Sequence, residues 1–153
     1  MKKNYFNGFL LCGFTGWCIE CFWTGLHSLF LTQDKTLRCG TSLWMFPIYG
    51  FASFISPISL YLKGKSMWLR GGIYTTLIFL MEYISGSFLR IFHACPWNYS
   101  NSRFHIKGLI RLDFAPLWFI VGLFFEKILD TNKKLQVYDK FIHCKNKKNP
   151  PKK

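Results

Sequence analysis

The sequence predicts an all-α fold: a polytopic membrane protein, built as a bundle of about four transmembrane helices with both termini in the cytoplasm. Three observations predict it. Half of the 153 residues are hydrophobic and 20% are aromatic, yet 20 Lys and Arg stand against 7 Asp and Glu, a net charge of +13. The charges are not scattered between periodic apolar stripes, as in a soluble domain, but collect between long stretches almost free of charge. Those stretches have the length that a helix needs to cross a hydrocarbon core of about 30 Å. The same pattern argues against a secreted disulfide scaffold, which is shorter and more polar. It also argues against a nucleic-acid-binding domain, whose positive charge gathers on one face of a soluble core.

Each span is justified in turn. Tyr5 to Leu31 holds 27 residues with one carboxylate, Glu20, and a histidine, His27, near its far end; at about 1.5 Å per residue it crosses with tilt to spare. Leu43 to Leu62 contains no charge, and Pro47 and Pro57 kink it, which a bilayer tolerates because neighbouring helices satisfy the freed carbonyls. Trp68 to Phe92 is the third span, with Glu82 and Arg90 inside it, and Leu109 to Leu129 is the fourth, bounded by Asp113 and Glu126. Residues 1–130 thus form the transmembrane domain, and residues 131–153 a basic cytoplasmic tail of Lys, Asn and Pro that meets solvent or anionic lipid headgroups. Lys2 and Lys3 before an apolar run resemble a signal peptide, but the length of the run and the lack of a small-x-small cleavage site predict that it is retained.

Basic residues assign the orientation. Fourteen lie on one side: Lys2 and Lys3, then Lys63, Lys65 and Arg70 in a tight link between spans two and three, then the nine lysines from Lys127 to Lys153. Five lie on the other: Lys35 and Arg38 in one loop, and Arg103, Lys107 and Arg111 around the longer, polar loop from His93 to Gly108. An excess of Lys and Arg marks the cytoplasmic side, so the cell membrane is the expected location and both termini face inward.

The polar residues within the spans form two stripes. In span one, Gly13, Gly16, Glu20, Thr24 and His27 are spaced 3, 4, 4 and 3, along one helix face. Such a stripe faces protein or water rather than lipid. It reads either as part of a proton or cation path or as a packing seam with a buried, hydrogen-bonded Glu. In span three, Gly71, Thr75, Glu82, Gly86 and Arg90 fall on or near one face. Both spans enter from the same side and reach their carboxylates at similar depth, so Glu20 and Glu82 can share a site. Two carboxylates that do so hold a shared proton or a cation; otherwise each is paired separately, with Arg90 the obvious partner for one. The candidate polar intramembrane site is therefore Glu20, His27, Glu82 and Arg90. Arg90 with Asp113, and Arg70 with Glu126, are candidate structural ion pairs between spans three and four.

Of the six cysteines, Cys12, Cys18 and Cys21 lie in span one, Cys144 in the tail, and Cys39 and Cys95 in the two outer loops. Only Cys39 and Cys95 are placed to pair, and then only in an oxidising compartment; otherwise they are thiols. Cys18 and Cys21 form a C-x-x-C with no second pair at zinc spacing, so neither a metal site nor any other cofactor is expected. Gly64, Lys65 and Ser66 resemble the end of a phosphate-binding loop, but Ser59 stands where the leading glycine belongs. Asn98, Tyr99 and Ser100 spell a glycosylation sequon, taken as incidental. No nucleophile stands with a base or a metal, so no enzyme activity is expected.

Several runs occur in a telling order: Gly16-Trp17-Cys18-Ile19-Glu20, Thr41 to Gly50 (TSLWMFPIYG), Glu82-Tyr83-Ile84-Ser85-Gly86, Pro96-Trp97-Asn98-Tyr99-Ser100 and Gly108-Leu109-Ile110-Arg111-Leu112-Asp113. Together they resemble the type IV ABC-transporter membrane family (CmpB-like), in the branch that includes the vertebrate transmembrane protein 229 group. The resemblance covers roughly residues 8 to 126. One departure is Asn98, where the family has Trp-Asp-Tyr-Ser, which removes an outer-side carboxylate. The resemblance implies a small multi-pass transporter component and supplies neither a substrate nor a catalytic residue. Two functions remain open. One is a permease-like subunit with an acidic polar site, its ATP hydrolysis supplied by a separate protein and its pathway completed by an oligomer or partner. The other is a membrane scaffold or regulatory subunit whose polar groups only lock helices.

Overall fold

The computed structural model describes residues 2–148, with side chains from Phe6 to Tyr138. Its elements run α1 (Lys2–Thr32), α2 (Met45–Gly50), a 3-10 turn (Phe51–Phe54), α3 (Ile55–Tyr61), α4 (Met67–Ile91), β1 (His105–Ile106), β2 (Ile110–Arg111), a second 3-10 turn (Leu112–Phe114) and α5 (Ala115–Lys148). Among the described residues the fold is all-α apart from one short hairpin. Two helices among the described residues are long and apolar enough to cross a membrane, Phe6–Thr32 and Met67–Ile91, and Met45–Tyr61 is a shorter apolar helix.

Local chemistry sets the boundaries. Pro57 has no N–H to offer the Ser53 carbonyl and its ring crowds that carbonyl, so the turn before it tightens to 3-10 geometry. Pro47 sits in the first turn of α2, where an N–H has no partner to lose. The kink expected of the second span is thus a break into three segments. The Gly64-Lys65-Ser66 run is turn and cap: Gly64 takes a φ of +83°, and the Ser66 hydroxyl accepts a hydrogen bond from the Leu69 N–H at 3.3 Å.

The fourth span differs most from its expected bounds. Instead of a helix from Leu109, the chain turns through Lys107 and Gly108, both at positive φ, and pairs His105 with Arg111 and Ile106 with Ile110. This hairpin buries Leu109 and Ile110, and α5 starts only at Ala115, with Pro116 in its first turn. At its other end α5 does not stop at Leu129. Residues 131–148 contain neither Gly nor Pro and are rich in Lys, so the helix runs on to Lys148. Lys133 Nζ donates to the Ser56 carbonyl at 3.2 Å and ties the start of this basic extension to α3. The rest of the tail, from Asp139 onward and including Cys144, has side chains outside the described residues.

Packing joins the helices in two pairs. α1 lies along α2 and the first 3-10 turn, α4 lies along α5, and α3 bridges to α5; α1 and α4 barely meet among the described residues. Small residues admit aromatic rings at both contacts. Gly16 leaves room for Tyr49, and a Cβ at Gly122 would stand 2.6 Å from that of Tyr74. Cys12, Ile55, Tyr74, Phe125 and Leu129 form the buried centre.

Beside this centre Arg70 Nη1 meets Glu126 Oε1 at 3.0 Å, with Glu126 only 7% exposed. The pair locks α4 to α5. Removing one partner strands a buried carboxylate, so Arg70→Met should destabilise by roughly 3–5 kcal/mol, whereas Arg70→Met with Glu126→Leu should recover most of the loss. Thermal unfolding of the detergent-solubilised variants measures both.

Candidate functional site

Where the two helix pairs face each other, the bundle encloses a cavity of about 560 Å³. Its walls come from α1 (Gly16, Glu20, Trp23, Thr24, His27), the broken helix (Met45, Ile48, Tyr49, Ile55), α4 (Leu77, Met81, Glu82) and α5 (Leu117, Trp118, Val121, Phe125). Pro96, Trp97 and Tyr99 of the loop after α4, with Arg111 and Phe114, close one end. That roof is tied down by Trp97 Nε1 donating to the Leu109 carbonyl at 3.0 Å, and by Tyr99 N donating to the Gly108 carbonyl at 2.9 Å. The edge-on packing of Tyr99 on Phe114, and of Phe114 on Trp118, carries the roof into α5.

The polar face of α1 turns inward: Gly13 backs on Phe46, Gly16 on Tyr49, and Glu20, Thr24 and His27 follow into the cavity. On α4, Gly71 backs on Phe119, and Glu82 reaches the same cavity. Glu20 and Glu82 thus line one cavity from different helices. Each has neutral neighbours, Thr41 and Tyr49 beside Glu20 and Trp118 beside Glu82. Glu20 Oε2, Glu82 Oε2, Thr41 Oγ1 and Trp118 Nε1 are buried without a partner within the chain. Among the described residues neither carboxylate forms a salt bridge. Tyr99 of the roof is pushed up from the usual phenol range, by burial first and then by the fields of Glu82 and Glu20, so it stays a neutral donor.

Arg90 is not part of this group. It stands outside the cavity, in a separate recess with His93, Cys95, Trp97, Asn98 and Ser100, and its Nη1 donates to the Lys107 carbonyl. It does not pair with Asp113 either. Asp113 lies two residues from Arg111, which grips it through Nε at 2.9 Å and Nη2 at 2.7 Å. The hairpin brings these two together before α5 begins, and the hydrogen bonds hold the Asp113 carboxyl below its usual range. Cys39 and Cys95 are free thiols. The Gly40 N–H donates to Thr24 Oγ1 at 3.2 Å and draws the loop onto α1, which sets Cys39 beside Cys21, while Cys95 donates to the Trp97 carbonyl at 3.3 Å. No cluster of three metal-ligating side chains occurs among the described residues.

Tyr49, Trp97, Tyr99 and Trp118 were not among the expected site residues. Tyr49, Trp97 and Tyr99 lie in runs that carry the family resemblance; Trp118, in an apolar helix, gives no signal of its own.

A family model described as Putative ABC-transporter type IV matches residues 7–144, which include every residue that lines the cavity. The chain belongs to this family. It is in that general sense a transporter-like membrane protein. No solved structure matches it. The departure from the family pattern at Asn98 has a local consequence. Asn98 Oδ1 accepts from the Ser100 N–H at 3.0 Å and from its hydroxyl at 2.6 Å, a turn that Asp would make equally well. Asn98 Oδ1 and Arg90 Nη2 both crowd the site of a Cβ on Gly108, at 2.9 and 3.0 Å, which a φ of +66° helps to reserve for glycine. Asn98→Asp should therefore create an ion pair with Arg90 worth up to about 1 kcal/mol and weakened by salt. A double-mutant cycle with Arg90→Gln checks it: the gain should vanish when Arg90 is absent.

Proposed function

We propose that this protein is a polytopic membrane protein with both termini in the cytoplasm, acting as a permease-like component whose internal cavity receives the transported molecule. The observation that carries the reading is the cavity itself, a space between helix pairs with largely apolar walls and two carboxylates, Glu20 and Glu82, that form no salt bridge among the described residues and each bury one oxygen without a partner. Ionisable groups placed so are expensive, and a function is the ordinary reason for keeping them. The membrane setting is supported by what faces outward: Phe14, Phe22 and Phe30 on α1, and Leu80, Ile84, Phe88 and Ile91 on α4, are each more than half exposed. In water that surface would aggregate; in lipid it is at rest. Fourteen basic residues on the side of the termini set the orientation and favour anionic lipid. A separate ATPase and a homo-oligomer or other partner would complete the machine, since one protomer of this size encloses a small pathway.

Two measurements test the proposal. A membrane-impermeant maleimide applied to intact cells should label Cys39, which is exposed in the α1–α2 loop, and should leave Cys144 unlabelled until the membrane is opened. The opposite pattern overturns the orientation. In proteoliposomes carrying a trapped pH-sensitive dye, the protein should support a proton- or cation-dependent signal that falls at least tenfold in Glu20→Gln and Glu82→Gln variants with unchanged assembly. A protein with no such signal under any gradient, whose variants alter only assembly, is the scaffold or regulatory subunit instead.

A further inference from the structure

We infer that the cavity takes a lipophilic organic monocation, an ammonium or phosphonium centre carrying an apolar or aromatic body. The inference rests on reading the cavity as the binding place of the transported molecule and names its chemical class.

The walls dictate the choice by elimination. A volume of about 560 Å³ suits a drug-sized molecule. Most of the lining is hydrocarbon or aromatic, so a strongly hydrated solute would lose its water with little in return. A neutral apolar molecule would fit the walls but make no use of the two carboxylates. An anion would meet two of them. Among the described residues that line it, the one Lys or Arg is Arg111, which is already neutralised by Asp113. A bare metal ion needs several ligating groups converging at short range, and among the described residues no three such side chains come together.

What remains is a diffuse positive charge with an apolar body, and the aromatic groups suit it. Trp23, Tyr49, Trp97, Tyr99 and Trp118 line the same cavity as the two carboxylates, and the faces of such rings attract poorly hydrated cations. Entry is provided as well. Trp23, Phe54 and Leu80 line the cavity and are also about half exposed, on α1, the first 3-10 turn and α4. These apolar side chains reach from the cavity to the outer surface, and a ligand dissolved in lipid could enter beside them without crossing water.

The probe is tetraphenylphosphonium, with tetraphenylborate as a partner of nearly the same shape and opposite charge. Binding to the full chain in detergent is measured by equilibrium dialysis against protein-free micelles. Saturable binding of tetraphenylphosphonium, at least tenfold tighter than that of tetraphenylborate, is expected. It should weaken at least tenfold when Glu20→Gln and Glu82→Gln are combined, and stay unchanged in Asp34→Asn, which alters a partly exposed loop carboxylate outside the cavity. Equal affinity for the two ions, which requires no variant to fold, overturns the inference; so does tetraphenylphosphonium binding that ignores both glutamates. If the cation binds through the glutamates but never crosses proteoliposomes, the ligand class stands and the permease reading falls. If a glutamate-dependent flux exists but tetraphenylphosphonium does not bind, the ligand class falls and the permease reading stands.

Discussion

The close approach of small residues to aromatic rings is the contact on which the rest of the bundle depends. Helices that are apolar on every side gain little from one orientation over another by burial alone, so the partner face must be chosen by shape. Gly16 chooses it for α1 by admitting Tyr49, and Gly122 chooses it for α5 by admitting Tyr74. Each choice makes a tight pair. Neither draws α1 onto α4, and the space left between the pairs is the cavity.

Charge is distributed to match. Arg70 finds Glu126 and Arg111 finds Asp113, so two of the cations nearest the bundle are spent on carboxylates. Arg90, the remaining cation of α4, is drawn out to the Lys107 carbonyl. Glu20 and Glu82 are left with hydroxyl and indole neighbours, in a space that the Trp97 and Tyr99 roof covers. A protein of +13 net charge thus keeps an acidic interior, because its basic residues lie between and beyond the apolar segments.

How far this was legible in the sequence depends on the range of the interactions. Helical spacing placed Gly13, Gly16, Glu20, Thr24 and His27 on one face, and the structure turns that face inward, because spacing of 3 and 4 is a property of the helix alone. The break around Pro57 is similarly local. The start of α5 was misplaced by six residues because Leu109 to Phe114 is as apolar as a helix start. What diverts it is a turn at Lys107 and Gly108 and a two-residue ladder that exists only once both strands are formed. The expected Arg90–Asp113 pair failed for the same reason: the hairpin hands Asp113 to Arg111. Cys39 and Cys95, for which the sequence left disulfide and thiols both open, are free thiols.

By itself, then, the sequence determined the all-α class, the apolar segments, the family and the two carboxylates as a candidate pair, since these follow from composition, periodicity and motif order along one chain. Only the tertiary structure decided that Glu20 and Glu82 look into one cavity, that Tyr49, Tyr99 and Trp118 surround them, and that Arg90 does not. Those facts depend on the rotation of each helix about its axis. That rotation is set by which ring enters which glycine gap, a contact between residues distant in the chain.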